Sequence, residues 1–259
     1  MNKRNTQQRR RAIVERLTEQ GEVSVEELKN AFSTSEVTIR KDLTELENNG
    51  LLLRKYGGAV LLPKDAPELT SKEVSKRKKT IAKAASALIQ DHNRIVIDSG
   101  STTGAMLPEL NNKLGLVVMT NALHVANTLL ELENEPTVLL TGGTWDRQSH
   151  SFQGKMAEQM LRAYNFDQAF LGAAGLDLER GSTTFNELTQ LSKVMAEVAR
   201  DVIVMAESDK LGRKIPNVEL PWQAISTLVT DDQLPAEAKK TIEQHGVEVI
   251  CASSPANES

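Results

Sequence analysis

The apolar positions between residues 24 and 32 have the spacing of a short amphipathic helix. Ser24 and Glu27 stand three residues apart, as the two members of a capping box do, and Val25, Leu28 and Phe32 recur on one face. The sequence therefore predicts a helix that begins after Ser24 and ends at the turn after Phe32.

A second amphipathic helix follows after this turn. Ser35 is its predicted N-cap, and Ile39, Leu43 and Leu46 then have the spacing of a buried face. The opposite face of this helix is polar and basic, and it comprises Glu36, Thr38, Arg40, Lys41 and Thr44.

An earlier helix and a glycine-turned hairpin complete this part of the chain. The helix is predicted from about residue 7 to residue 20, and Gly21 ends it. Two strands are predicted within residues 51–62, turned at Gly57 and Gly58. This order of elements predicts a winged helix-turn-helix, whose partner is operator DNA.

The distribution of charge agrees with DNA binding by this first part. Residues 1–58 contain 11 Lys and Arg against 9 Asp and Glu, whereas the remaining residues contain 20 against 26. An acidic whole does not exclude DNA binding, because a local basic face is enough to displace counterions from phosphates. Arg40 and Lys41 are placed to reach base edges. Phosphate contacts are expected from Arg9, Arg10, Arg11, Arg54 and Lys55.

Residues 63–80 are polar, contain two prolines and predict a linker. The basic cluster at residues 76–79 has two interpretations, a DNA contact or the first exposed turn of the next helix. The predicted domains are thus a DNA-binding domain at 1–62 and an effector-binding domain at 81–252, with a disordered tail at 253–259.

The second domain alternates short apolar runs with helical segments. The apolar runs, which predict strands buried on both faces, lie at residues 95–98, 116–120, 137–141, 168–172, 202–206, 226–230 and 247–251. Helices are predicted at about 103–110, 122–132, 188–199 and 236–244. This alternation predicts a doubly wound α/β fold with a mainly parallel sheet, which binds ligands at the carboxyl ends of its strands.

Small and polar residues follow several of these strands. Ser101, Thr102 and Thr103 follow the first strand and are candidates for binding phosphate, although a plain strand-to-helix turn has the same composition. Turn geometry is the default explanation for Gly142 and Gly143. Lys210 could bind a phosphate and Glu187 sugar hydroxyls, or either could lie on the surface.

Two stretches of the chain resemble the DeoR family of bacterial transcriptional regulators. The segment TIRKDLTELENNGLLLRKYGGAV, residues 38–60, resembles the winged helix-turn-helix signature of that family. By position, the resemblance implies DNA contacts from Ser35, Thr38, Arg40, Lys41 and Arg54.

The rest of the chain resembles the sensor domain of the same family. The motifs are DSGSTT, GG, FNE, SK and SDKLGRK. The resemblance implies a fold similar to ribose 5-phosphate isomerase and an effector that is a phosphorylated sugar. The effector-binding residues it implies are Asp98, Gly100, Ser101, Thr102, Thr103, Asn121, Gly142, Gly143, Glu187, Lys193 and Lys210. Similarity to members that control hexitol use implies a hexitol phosphate as inducer.

The alternative function is a sugar-phosphate isomerase-like enzyme joined to a DNA-binding head, with Asp98, Glu187 and Lys210 as acid and base groups. We predict a regulator without catalysis, because the chain devotes its first 60 residues to DNA. No cofactor or metal site is predicted, since the four histidines are scattered. The single cysteine, Cys251, and the absence of a long apolar run predict a cytoplasmic protein outside the membrane.

The expected mechanism is that of an effector-controlled repressor. A homo-oligomer, dimer or tetramer, would place its heads on repeated half-sites, and a sugar phosphate would shift the population away from the DNA-binding state. The sequence leaves the sign of this coupling open, because a corepressor needs only the opposite preference.

Overall fold

The computed structural model describes residues 3–48, 52–55, 57–60, 74–147, 149–184, 189–213, 215 and 217–253. The chain divides into two compact units, residues 1–66, here called the head, and residues 67–259, here called the α/β unit. Most of the predicted linker, residues 63–73, and the predicted tail after residue 253 lie outside the described residues. The exact predicted boundaries therefore remain predictions.

Three helices form the core of the head: α1 (Lys3–Gln20), α2 (Val25–Ala31) and α3 (Glu36–Asn48). Their buried faces carry the predicted apolar residues, among them Leu28, Ile39 and Leu43. The predicted capping box is present, because Glu27 N donates to Ser24 Oγ at 3.1 Å and Ser24 N donates to Glu27 Oε2 at 2.9 Å. Local sequence signals therefore account for these helices.

A small antiparallel sheet forms the wing. It consists of β1 (Glu22–Ser24), β2 (Leu53–Lys55) and β3 (Gly58–Val60), with β3 in the middle. The sequence pattern predicts β2 and β3 but not β1. Gly57 has φ +80°, and a Cβ at Gly58 would lie 2.2 Å from the carbonyl oxygen of Val23. The two glycines thus have different roles, since one makes the turn and the other lets β1 approach β3.

Each of the seven predicted apolar runs forms a strand of one parallel sheet in the α/β unit. Along the chain they are β4 (Arg94–Ile97), β5 (Val117–Thr120), β6 (Thr137–Leu140), β9 (Phe166–Gly172), β12 (Ala199–Met205), β14 (Thr227–Asp231) and β15 (Glu248–Ala252). Their order across the sheet is β15-β14-β12-β9-β4-β5-β6, and every neighbouring pair is parallel.

Helices pack on both faces of this sheet. They are α4 (Lys76–Ser86), α5 (Ser101–Gly104), α6 (Leu123–Leu130), α7 (Lys155–Arg162), α8 (Gln190–Glu197) and α9 (Ala236–Gln244). Ile95 and Ile97 of β4 lie in one hydrophobic cluster with α4 and α6, whereas Val96 lies in the opposite cluster with α7, α8 and α9. The prediction of a winged helix-turn-helix followed along the chain by a doubly wound fold is therefore confirmed.

Within the described part of the α/β unit, five further strands lie outside the main sheet. A hairpin pairs β7 (Thr144–Asp146) with β8 (Ser151–Gln153), and a second antiparallel sheet has the order β10-β11-β13, at Gly175–Asp177, Gly181–Thr184 and Asn217–Leu220. The sequence pattern does not predict them, because they are short and largely polar.

The predicted helix at residues 103–110 is wrong in its extent. The chain instead forms the short α5 and then a 3₁₀ helix at Leu107–Asn112, which has a proline in its first turn. Pro108 cannot donate the backbone hydrogen bond that would continue an α-helix through this position. No helix of the described residues is long and apolar enough to cross a membrane.

Candidate functional site

The outer face of α3 carries the predicted DNA-binding side chains. Ser35 Oγ accepts a hydrogen bond from Thr38 N at 3.2 Å and lies 2.9 Å from Thr38 Oγ1, so these two residues cap the helix. Arg40 is about half exposed and lies 3.6 Å from Glu36, and Lys41 is exposed. Arg54 of the wing donates to Thr44 Oγ1 at 2.8 Å, which fixes the wing to this same face. The five DNA-binding residues that the family resemblance implies therefore share one surface of the head.

Two of the arginines predicted to contact phosphates have a different partner in the structure. Arg9 Nε lies 2.5 Å from one carboxylate oxygen of Asp42, and Arg10 Nε lies 2.9 Å from the other. Asp42 is on the inner side of α3 and is 2 % exposed. These contacts join the first half of α1 to α3, so they orient α3 within the head.

The second candidate site lies at the point in the main sheet where the chain changes the side on which it adds strands. From β4 the chain adds β5 and β6 on one side, and it then returns to add β9, β12, β14 and β15 on the other. The carboxyl ends of β4 and β9 thus form a topological switch point, where open α/β sheets leave a crevice for ligands. The sequence predicts the strand ends as the binding edge, and the strand order selects β4 and β9 among them.

Asp98 joins the two strands at the switch point. Its Oδ2 accepts a hydrogen bond from Gly172 N at 2.7 Å, and its Oδ1 accepts from Gly100 N at 2.9 Å and from Thr103 Oγ1. Burial raises the pKa of the Asp98 carboxyl, although these hydrogen bonds act in the opposite direction. Asp98 therefore holds the loop that presents Ser101, which is a positioning role.

Two lysines lie near the carboxyl ends of β4 and β9. Lys78 Nζ is 3.2 Å from Ser101 Oγ, and Lys210 Nζ donates to the carbonyl oxygen of Ala173 at 2.8 Å. Lys210 is 3 % exposed, and Ala173 directly follows β9. The sequence pattern predicts Lys210 as a residue of the effector site, but it assigns Lys78 to the linker or to an exposed helical turn. The structure places Lys78 at the site because α4 packs against the ends of the strands.

Arg77, which precedes Lys78 in α4, is surrounded by carboxylates. It lies 3.5 Å from Glu207, 3.5 Å from Asp209 and 3.8 Å from Asp231. Ser75, the N-cap of α4, donates to Glu207 Oε1 at 3.1 Å. The first turn of α4 is thereby fixed to the carboxyl ends of β12 and β14, and the basic cluster is not merely solvated.

Two predicted residues have buried polar atoms that lack a partner. Asn121 donates to the carbonyl oxygen of Phe152 at 3.2 Å, but neither its Oδ1 nor Thr102 Oγ1 has a hydrogen-bond partner among the described residues. Both residues are at most 3 % exposed. An unpaired buried acceptor is costly, and binding sites are one place where it persists.

The two glycines after β6 lie further from the switch point, since β5 separates β6 from β4. Gly143 has φ +114°, and a Cβ there would lie 2.6 Å from the carbonyl oxygen of Gln153. Gly143 therefore allows the hairpin of β7 and β8 to pack closely, which agrees with the turn interpretation.

Two titratable residues near Asp98 have no signal in the sequence pattern. Glu219 on β13 accepts a hydrogen bond from Ser192 Oγ on α8 at 2.7 Å. Burial raises the pKa of its carboxyl to about 7, and the charge of Asp98 also raises it. Burial lowers the pKa of the His124 imidazole, and the charge of Asp98 opposes this effect.

The remaining predicted residues are Lys193 and Glu187. Lys193 is partly buried on α8, next to Ser192, whereas Glu187 lies outside the described residues. Within the described part of the chain, no group of His, Cys, Asp and Glu side chains could hold a metal ion. The arrangement as a whole can bind a ligand that combines an anion with hydroxyl groups.

Comparisons with known proteins match both units. The DeoR-like helix-turn-helix domain matches residues 9–64, and the DeoR C terminal sensor domain matches residues 73–232. The chain is 40% identical to a candidate aga operon transcriptional repressor of Escherichia coli O157:H7, covering 95% of this chain and 93% of that protein. It is 36% identical to the HTH-type transcriptional regulator GlpR of Haloferax volcanii, covering 94% and 96%.

Among solved structures, the chain is similar to ribose 5-phosphate isomerase A of Methanocaldococcus jannaschii. That similarity covers 53% of this chain and 54% of the isomerase, with 19% identity and a TM-score of 0.39.

Proposed function

Because the chain belongs to the DeoR family of transcriptional regulators, we propose that it represses a sugar or sugar-alcohol catabolic operon and is released by a phosphorylated sugar. The observation that carries the effector class is the pair of lysines, Lys78 and Lys210, which contact Ser101 after β4 and Ala173 after β9 at the switch point. In this proposal residues 1–62 bind operator DNA and residues 81–252, together with Lys78, bind the effector.

The phosphate group would bind beside Ser101. Lys78 already contacts the Ser101 hydroxyl, and Lys210 is held nearby by the carbonyl oxygen of Ala173. An ammonium group is attracted to phosphate as a point charge and can donate several hydrogen bonds to it. A dianionic phosphate would therefore gain more from this site than a neutral sugar would.

The hydroxyl groups of the effector would meet the polar residues on the β5 side and on α8. The unpaired oxygens of Thr102 and Asn121 can accept hydrogen bonds from hydroxyls. Glu187 is a further candidate acceptor, and the Lys193 ammonium is a candidate donor. A hexitol phosphate, the inducer we propose, is an open chain of hydroxyl groups, and each hydroxyl can donate to such acceptors or accept from Lys193. A cyclic hexose phosphate is the matched compound with which the open-chain hexitol phosphate should be compared.

The first turn of α4 supplies a route from the effector to the DNA-binding state. Lys78 Nζ lies 4.0 Å from Glu207 as well as 3.2 Å from Ser101, so an anion at Ser101 would compete with Glu207 for this cation. The chain between α4 and the head is the covalent connection through which such a change would pass. A coupling of about 1 to 3 kcal/mol is typical for linkage of this kind.

The proposal includes a homo-oligomer on repeated half-sites, action in the cytoplasm and no catalysis. Support for the last point comes from Asp98, which is the most central carboxylate of the site. Its two oxygens accept hydrogen bonds from Gly100, Thr103 and Gly172, so it is poorly placed to take a proton from a ligand.

The test is binding of the intact protein to DNA from upstream of its own gene, at fixed salt, with hexitol phosphates, hexose phosphates and their unphosphorylated forms. We expect a hexitol phosphate to weaken specific binding and the unphosphorylated hexitol to have no effect. Specific DNA binding that no phosphorylated compound changes would refute the effector class but leave the DNA-binding function intact.

Variants of the intact protein locate the site. Lys78→Met and Lys210→Met should keep DNA binding and lose the response to the effector, whereas Lys240→Met, at an exposed position of α9, should behave like the wild type. Arg40→Ala should do the reverse and lose specific DNA binding while still binding the effector. If Arg40→Ala and Lys210→Met each lose both functions, the division between the two units is wrong.

A further inference from the structure

One exposed apolar side chain lies on the outer face of α3, in its first turn. Val37 is 70% exposed, and among the described side chains of the head it is the only large apolar one with such exposure. At 3.6 residues per turn, it projects about 160° away from Ile39 and about 180° away from Leu46. Both of those side chains are buried, so Val37 points directly away from the core of the head.

The position of Val37 within the helix is also specific. Ser35 caps α3 through Thr38 N, so Val37 stands in the first turn of the helix. In helix-turn-helix proteins, residues near the start of the recognition helix contact base edges in the major groove. Val37 therefore occupies a place from which a side chain reaches bases.

The neighbours of Val37 favour DNA rather than a protein as the group that covers it. Arg40 and Lys41 follow one turn later and project about 60° and about 40° from it around the helix axis. Both are exposed, so the apolar side chain is flanked by two cations. A surface of this composition suits a polyanion that also presents an apolar group.

In the major groove that apolar group is the C5-methyl of thymine. Valine suits such a contact because its β-branched side chain has one strongly preferred rotamer in a helix, so little rotamer freedom is lost on binding. On the basis of the operator binding proposed above, we propose that Val37 determines sequence specificity by packing on the methyl group of one thymine in each operator half-site.

Uracil substitution tests this directly, because uracil pairs like thymine but lacks the methyl group. Operator fragments selected by the intact protein from random duplexes would carry uracil at each thymine position in turn, and their affinities would be measured at fixed salt. We expect one position per half-site at which the wild type loses about fourfold in affinity, the value for burial of one methyl-sized group.

The Val37→Ala protein completes a double-mutant cycle with the same duplexes. It should bind the thymine duplex more weakly than the wild type does, and it should not distinguish thymine from uracil at that position. Its salt dependence should equal that of the wild type, because an uncharged side chain neutralises no phosphate and releases no counterions. Val74→Ala, which truncates a valine that is 41% exposed in the α/β unit, is the matched control and should retain the thymine preference.

Two results would overturn the proposal. One is that no uracil position weakens binding of the wild type. The other is that Val37→Ala loses as much affinity on uracil substitution as the wild type does. Because Val37 is exposed, its truncation should not unfold the head.

Discussion

Replacing Glu219 by glutamine should stabilise the α/β unit at pH 8 and have little effect at pH 5. Glu219 accepts a hydrogen bond from Ser192 Oγ, and a glutamine oxygen can accept the same bond. The substitution therefore removes the ionisable group but keeps the contact.

The sign follows from the direction of the pKa change. The carboxyl has an ordinary pKa of 4.5 and a pKa of about 7 in the folded protein, so between these values the folded state binds more protons than the unfolded state. Stability must then fall as the pH rises through this range. The favourable contribution of the neutral carboxyl is fully present below about pH 4.5 and is lost as the pH rises through about 7.

The magnitude follows from about 1.4 kcal/mol for each pH unit, which gives about 3 kcal/mol for a difference of this size. Glu219 retains some exposure, so screening by water reduces the expected value to about 2 kcal/mol. The stability gained by Glu219→Gln should therefore grow from about 0.5 kcal/mol at pH 5 to about 2 kcal/mol at pH 8.

The assay is urea unfolding of the full chain followed by tryptophan fluorescence. The chain has two tryptophans, Trp145 and Trp222, and both belong to the α/β unit, so unfolding of the head gives no tryptophan signal. Trp222 is 1% exposed, and its indole N–H is 3.0 Å from the carbonyl oxygen of Asp177. A Trp145→Phe background leaves Trp222 as the single reporter.

Glu237→Gln serves as the control for exchanging a carboxylate for an amide at an exposed position of the same unit. The reasoning fails if the stability difference between Glu219→Gln and the wild type is independent of pH. It also fails if the glutamine variant is the less stable one at pH 8.

Three further predictions concern the head and the start of α4. Asp42→Asn should destabilise the head by about 3 kcal/mol, because Arg9 and Arg10 lose their buried carboxylate partner. Hydrogen exchange of the α3 amides, with the α6 amides as the internal reference, would measure this loss of stability. Protection of α3 equal to the wild type would contradict it. Gly58→Ala should separate β1 from β3, since the added Cβ would lie 2.2 Å from the Val23 carbonyl oxygen, and should reduce DNA affinity at least about tenfold. Unchanged affinity would show that the wing does not support binding. Arg77→Gln should lower the stability of the α/β unit by about 2 kcal/mol in the Trp222 assay, because Glu207 and Asp231 are buried carboxylates beside it. An unchanged urea midpoint would mean that Arg77 is only a surface contact.

Local sequence signals determined the elements that depend on neighbouring residues. The Ser24 and Glu27 capping box, the apolar faces of α2 and α3, and the seven apolar runs of the parallel sheet are all present as the sequence predicts. Each of these is set within one turn or one strand, where residue spacing decides which side chains share a face. The same holds for α9, whose bounds at residues 236–244 equal the predicted ones.

Tertiary structure alone decided which of these elements meet. The strand order places β4 beside β9, and only this order makes Asp98 and Gly172 partners across the switch point. The same packing brings Lys78 from the predicted linker to Ser101 and places Glu219 near Asp98. Contacts between residues this far apart in the chain depend on strand pairing and helix packing. The sequence of an apolar run does not indicate which strand lies beside it in the sheet.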